Sequence, residues 1–207
     1  MAEAAGGVSL DLSPRSNLGA YTAVTLGQTG IGDGLTCPLF SPPNSYNNIL
    51  TTGFASDWDG NEFTVAGWLK VSAGGIWTDG LQHNVISISV DANNLLYLCS
   101  AVGDNSFGFR FKSGGVEKTT HKVGITTEAW LHAALTVSLT DDKRIAYWNG
   151  FAVGEESGLG SWVGEPGTAV IGAGSVAPIQ VWDGLEAHWM VWDCALTPAE
   201  VLKAATR

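Results

Sequence analysis

The sequence predicts an all-β fold, an antiparallel sandwich or barrel followed by one short C-terminal helix. Short runs of β-branched and aromatic residues recur from Phe63 onward. Clusters of Gly, Asn, Asp and Ser separate those runs, the pattern of consecutive antiparallel strands. The length of 207 residues, with 27 Gly, nine Trp and 14% charged residues, suits one domain of sandwich size. A chain this long buries roughly 70% of its unfolded surface, so it needs no disulfide or metal staple. The low charge and the many tryptophans argue against disorder.

Residues 1–20 are small and polar, with Pro14 and no periodicity, and read as an arm or extended segment. Such an arm needs either its own body or a neighbour to hold it. Residues 21–207 then form a single domain. Residues 27–48 are rich in Gly, Pro, Asn and Ser and read as a long loop with one short strand near Leu39. The run from Phe63 to Val71 alternates, with Phe63, Val65, Gly67 and Leu69 opposite Thr64, Ala66, Trp68 and Lys70. Further strands are expected at 85–90, 95–101, 107–112, 130–139, 144–148, 169–171 and 185–192. Turn signals at Asp91, Gly103, Ser113, Thr140 and Asn149 divide them. Asn149-Gly150 predicts a type I′ hairpin, because that turn needs two positive φ angles. Thr197-Pro198-Ala-Glu200 reads as an N-cap, a proline at N1 and a capping-box glutamate, so a helix follows.

The chain carries 20 acidic and 10 basic side chains, for a net charge of -10. That balance argues against nucleic acid, which needs clustered Lys and Arg, and against an anionic membrane surface. No stretch approaches the about 20 consecutive apolar residues of a membrane span. The start at Met1 shows neither a basic nor an apolar leader region, so no signal peptide and synthesis in the cytoplasm are expected. Cys37, Cys99 and Cys194 are odd in number and widely spaced, without a CxxC motif. Cys99 and Cys194 sit in apolar runs and are expected as buried thiols.

Few chemical motifs survive inspection. Gly172-Ala-Gly174 matches part of a dinucleotide fingerprint, but Pro178 stops the helix such a site requires, so it reads as a turn. No G-x-S-x-G nucleophile elbow occurs. His83, His121, His132 and His188 are far apart, and His132 and His188 are expected as packed, hydrogen-bonded strand residues. Asp57, Asp59 and Asn61 have the D-x-D-x-N spacing of a calcium loop, although the twelfth position is Trp68; a tentative Ca²⁺ site there is the one metal expectation. Trp68, Trp130, Trp148, Trp189 and Trp192 lie in strands and are expected mostly in the core. Trp58, Trp77 and Trp162 lie among Gly, Asp and Ser in expected loops. Exposed, they would stack sugar rings, with Asp79 bonding hydroxyls nearby.

The order of these pieces resembles a known family. Glu62-Phe-Thr-Val-Ala-Gly-Trp-Leu-Lys70, Trp130-Leu-His132-Ala-Ala, Arg144-Ile-Ala-Tyr-Trp-Asn149-Gly150 and Trp182-Asp-Gly184 through Trp192 to Thr197-Pro-Ala-Glu200-Val201 are similar to the laminin-G-like branch of the concanavalin A-like lectin/glucanase superfamily. The resemblance covers about 160 residues. It implies a jelly-roll sandwich and mostly binding modules for sugars, proteins or cell surfaces. The hydrolytic branch carries E-x-D-x-x-E on one strand, and no E-x-D occurs here. The expectation is therefore a non-catalytic surface module: a virion decoration or adhesion protein, made in the cytoplasm and acting on a virion or cell exterior. Its partners would be proteins of a larger assembly met through the arm, and glycans, with an oligomeric state expected. A free carbohydrate-binding lectin is the alternative. A glycoside hydrolase comes third, since no acid pair can be named.

Overall fold

The computed structural model describes residues 6–101 and 105–206. The first five residues of the arm, positions 102–104 in the turn expected at Gly103, and Arg207 lie outside the described residues.

The arm enters as β1 (Val8–Ser9), crosses a strap of residues 10–17, and returns as β2 (Gly19–Thr22). β3 (Thr25–Thr29), β4 (Thr36–Phe40), β5 (Tyr46–Asn48) and helix α1 (Thr52–Asp57) follow. Next come β6 (Glu62–Val71), a 3₁₀ turn at Gly74–Trp77, β7 (His83–Asp91), β8 (Asn94–Ala101), β9 (Ser106–Ser113) and β10 (Val116–Lys122). β11 (Leu131–Ser138), β12 (Lys143–Trp148), β13 (Phe151–Glu156), β14 (Thr168–Ile171), β15 (Gly184–Trp192) and α2 (Pro198–Ala204) complete the chain. One sheet runs β1-β2-β5-β14-β7-β8-β9-β10, the other β13-β12-β11-β6-β15-β4-β3. Neighbours pair antiparallel in both, giving the jelly-roll sandwich expected.

The core lies between the sheets. Phe63, Val65, Leu69 and Val71 of β6 share one apolar cluster with Ile86, Ile88, Leu96, Leu98, Phe107, Phe109 and Phe111 of the other sheet. The alternation on β6 is real, but its second face is covered too. Ala66 packs with Ala134, Tyr147 and Val201 of α2, and Trp68 with Ile31, Cys37 and Ala187. Thr64 ties the returning tail down: its hydroxyl donates to the Cys194 carbonyl at 2.8 Å and accepts from the Leu196 N–H at 2.9 Å.

The hairpin and the helix form as the sequence dictates. Asn149 and Gly150 have φ of 51° and 82°. A methyl group on Gly150 would lie 2.8 Å from Leu202 of α2, so glycine serves both the turn and the helix contact. Thr197 and Glu200 close a full capping box around Pro198.

Several expectations need correction. The 27–48 loop contains most of β3, all of β4 and all of β5. β10, Val-Glu-Lys-Thr-Thr-His-Lys, was not expected, because a polar edge strand carries no apolar period. Cys194 is exposed, since it follows β15 into the surface segment before α2; Cys37 and Cys99 are buried. The arm is held by its own body. β1 and β2 extend the eight-stranded sheet, and the buried Ser9 hydroxyl donates to Asn47 Oδ1 at 3.1 Å.

Candidate functional site

A groove of about 610 Å³ opens between the two sheets beneath the strap. Its floor is core: Phe63 of β6, Ile86 of β7 and Ile171 of β14, with Asn47 of β5 and Ile49 just after it. Phe54, Trp58 and Trp189 form aromatic walls, and Asp57, Asp59, Asp193 and Arg15 stand at the mouth.

The first wall follows from a short helix. Thr51 caps α1 by accepting the Phe54 N–H at 3.0 Å, and Trp58 closes it with its N–H on the Phe54 carbonyl. That single turn places Phe54 and Trp58 on one side, ring centroids 5.9 Å apart and stacked. Trp58 then leans on Phe63 at 4.6 Å and Trp162 at 5.8 Å, so the wall is anchored in the core.

The opposite wall comes from a bulge. Pairing of β15 with β6 shifts between Ala187 and Met190, and His188 sits there with φ of 50°. One extra residue reverses the parity of the strand, so Trp189 turns inward over Gly67. Its indole N–H donates to Glu186, whose side chain is fully buried. Burial pushes the Glu186 carboxyl well above the ordinary range, against the opposing effect of the Trp189 bond. Its Oε1 has no hydrogen-bond partner among the described residues. His188 points its Nε2 at Asp33 Oδ2, 2.7 Å away, tying the bulge to the Gly30–Leu35 turn.

Arg15 joins the two sides of the mouth. Its Nη1 lies 2.6 Å from Asp57 and its Nη2 2.7 Å from Asp193. Nearby, Asp11 is held below its usual range although burial opposes this. Bonds from the Ser13 N–H and hydroxyl and the Asn17 N–H outweigh the burial.

The expected site residues divide. Trp58, Asp57 and Asp59 meet at the groove. Trp77 is 2% exposed, its indole N–H spent on the Thr127 carbonyl and its ring against Trp182. Trp162 is 6% exposed and stacks on Phe111. Neither presents a face to a sugar, because both loops fold back over the sandwich edge. Asp79 lies apart, with Oδ2 2.8 Å from His83 Nε2 and Oδ1 accepting the Leu81 N–H. The calcium triplet does not converge. Asp57 is on Arg15, Asp59 accepts both Asn61 N–H groups of the turn, and Asn61 Oδ1 accepts the Trp162 N–H. No group of three His, Cys, Asp or Glu side chains suited to a metal occurs among the described residues. His132 is packed as expected, but neither ring nitrogen has a hydrogen-bond partner among the described residues. Trp68 and Trp148 are core as expected, whereas Trp130, Trp189 and Trp192 are half-buried. The sequence reading missed Arg15, Phe54 and Asp193, which have no local motif.

Residues 43–202 match a laminin G family model described as the concanavalin A-like lectin/glucanases superfamily. No curated protein sequence matches the chain. Among solved structures, the fold is similar to a heptameric pentraxin from Limulus polyphemus, with TM-score 0.56, 20% identity and 70% of each chain covered. It is similar to the binding domain of botulinum neurotoxin serotype D, with TM-score 0.71 and 14% identity over 95% of this chain and 48% of that one. This chain thus spans about half the length of that toxin domain. It is also similar to domain 4 of an extracellular arabinanase from Geobacillus stearothermophilus, solved with arabinotriose. There the TM-score is 0.65 and the identity 17%, over 91% of this chain and 88% of that one.

Proposed function

Because the chain belongs to the concanavalin A-like lectin/glucanases superfamily, we propose that it is a non-catalytic binding module that seats a saccharide in the groove between Phe54, Trp58 and Trp189. The observation that carries this reading is the combination of partly exposed aromatic walls with carboxylates at the mouth. An indole takes the apolar C–H face of a sugar ring, and Asp57, Asp59 and Asp193 accept from its hydroxyls. The arabinanase domain, whose structure contains arabinotriose, supports a sugar as ligand for this fold.

Hydrolysis fits less well. A glycoside hydrolase needs a protonated carboxyl in its cleft. Glu186, the carboxyl that burial raises well above the ordinary range, lies behind Trp189 and does not line the groove. A virion or cell-exterior setting and an oligomeric state belong to the same proposal. The pentraxin neighbour is a heptamer, and the exposed Leu10 and Leu12 of the strap offer apolar contact area. Light scattering on the full chain measures the oligomeric state.

A glycan array on the full chain, with calcium and with chelator, tests the reading. Binding is expected, insensitive to chelator, and weakened in Trp58→Ala and in Trp189→Ala. Stacking on one aromatic ring is worth roughly 0.5–1.5 kcal/mol beyond burial, so each variant should weaken binding by at least about two- to tenfold. No binding to any saccharide, or full binding by both variants, would reject the groove as a sugar site.

A further inference from the structure

The groove has a cover made of the chain itself. The strap between β1 and β2 crosses its opening, and residues 9–15 and 17 line it. The turn in the strap is bonded internally: Asp11 accepts from the Ser13 N–H at 2.8 Å, the Ser13 hydroxyl at 2.9 Å and the Asn17 N–H at 2.7 Å. A segment bonded in that way moves as a unit. At its foot, the Thr51 hydroxyl donates to Asn17 Oδ1 at 2.9 Å, which anchors the strap beside α1.

What closes the cover is Arg15. Its guanidinium reaches Asp57 at the end of α1, which follows the eight-stranded sheet, and Asp193 at the end of β15 in the seven-stranded sheet. One side chain therefore spans both walls. Apolar burial adds little to this closure, since Leu12 is 82% exposed and Leu10 53%. Arg15 is 46% exposed, Asp57 40% and Asp193 65%, so both ion pairs lie in water. Pairs of this kind are weak and screened by salt. Opening the strap is within thermal reach, because local openings need only break the few contacts that hold the segment.

We propose that residues 10–17 form a latch that regulates entry to the groove, closed by Arg15 on Asp57 and Asp193. It opens with salt, or when a ligand takes over those two carboxylates. The regulation rests on the groove being a ligand site, yet the latch itself is measurable with no ligand present.

Hydrogen exchange read by mass spectrometry on the full chain provides the test. In Arg15→Gln, amides of residues 49–58 and 188–193 should exchange about three- to tenfold faster than in the wild type, the loss of two exposed ion pairs. Wild-type protein in about 0.5 M sodium chloride should approach the variant, since the screening length falls to roughly 4 Å. Arg15→Lys, which keeps the charge and loses the fork, should fall between them. Amides of β11, in the sheet interior, should be unchanged throughout. Equal exchange in wild type and Arg15→Gln at both salts overturns the latch. So does an increase that extends equally to β11, which would report general loosening. If Arg15-dependent exchange appears while the glycan array stays blank, the latch stands and the saccharide reading fails.

Discussion

Gly67 shows how one absent side chain shapes the groove. It sits in the middle of β6, where a glycine ordinarily costs about 0.5–1 kcal/mol relative to alanine. Here the space is taken by Trp189, whose Cδ2 would lie 2.3 Å from an added Cβ, with Cε3 at 2.6 Å and Cε2 at 2.7 Å. The ring is held by its bond to Glu186, so clearing an added methyl would break that bond or push the ring into the groove. Gly67→Ala should therefore destabilise the fold by about 1–3 kcal/mol, the range for overpacking, instead of stabilising it as in an ordinary strand. Urea unfolding of the variant measures this. An unchanged or raised midpoint would show that Trp189 is free to move, and that the wall is softer than its packing indicates.

At the scale of elements, the far end of the sandwich is tied by a buried cation. Arg144 of β12 is 1% exposed and bonds across to the other sheet. Nη1 donates to the carbonyls of Phe109 at 3.0 Å and Lys118 at 2.7 Å, and Nη2 to Thr120 Oγ1 at 2.7 Å. Burial pulls its guanidinium down to about 10, partly offset by Glu156. The desolvation is large, but removing the cation would take away three bonds that tie the two sheets together. Arg144→Met should cost about 3–5 kcal/mol, read as a lower denaturation midpoint. A loss below about 0.5 kcal/mol, the level of an ordinary surface change, would mean that water replaces those bonds. This tie explains what the sequence concealed. Arg144 heads a strand whose apolar period is plain, yet its acceptors lie on β9 and on β10, a polar edge strand without any period. β6, β7, β8, β9 and β11 were legible because both their composition and their turns agree. The groove was half legible: Asp57, Trp58 and Asp59 form one conspicuous loop, but Arg15 meets them from the arm with no local signal. Strict alternation puts Trp189 in the core, because it hides the bulge at His188.

At the scale of the whole molecule, buried His132 and Glu186 act on stability with opposite signs. His132 is buried against Trp68, ring centroids 5.2 Å apart, and burial depresses it from 6.5 to about 4. The folded state holds it neutral while the unfolded chain takes up a proton, so stability is lost as pH falls from 6.5 towards 4. Glu186 does the reverse. Its folded carboxyl stays protonated above 4.5, where the unfolded chain ionises, so stability is lost as pH rises from 4.5 towards its raised folded value. Each contributes about 1.4 kcal/mol per pH unit within its window. Where the windows overlap, one proton is taken up and one released, and the two slopes cancel. The exposed carboxyls held low by hydrogen bonds, such as Asp142 and Glu200, titrate below this interval. Where the windows overlap, the wild type should therefore depend on pH less steeply than either single variant. Glu186→Gln should uncover the His132 slope, losing about 2–3 kcal/mol as pH falls from 6.5 to 4.5. His132→Leu should uncover the opposite slope, a loss of stability as pH rises above 4.5. It should fold well, because neither imidazole nitrogen has a hydrogen bond to lose. Urea midpoints of the three proteins at several pH values decide the matter. Three parallel profiles would mean that neither group is held in the state its burial dictates.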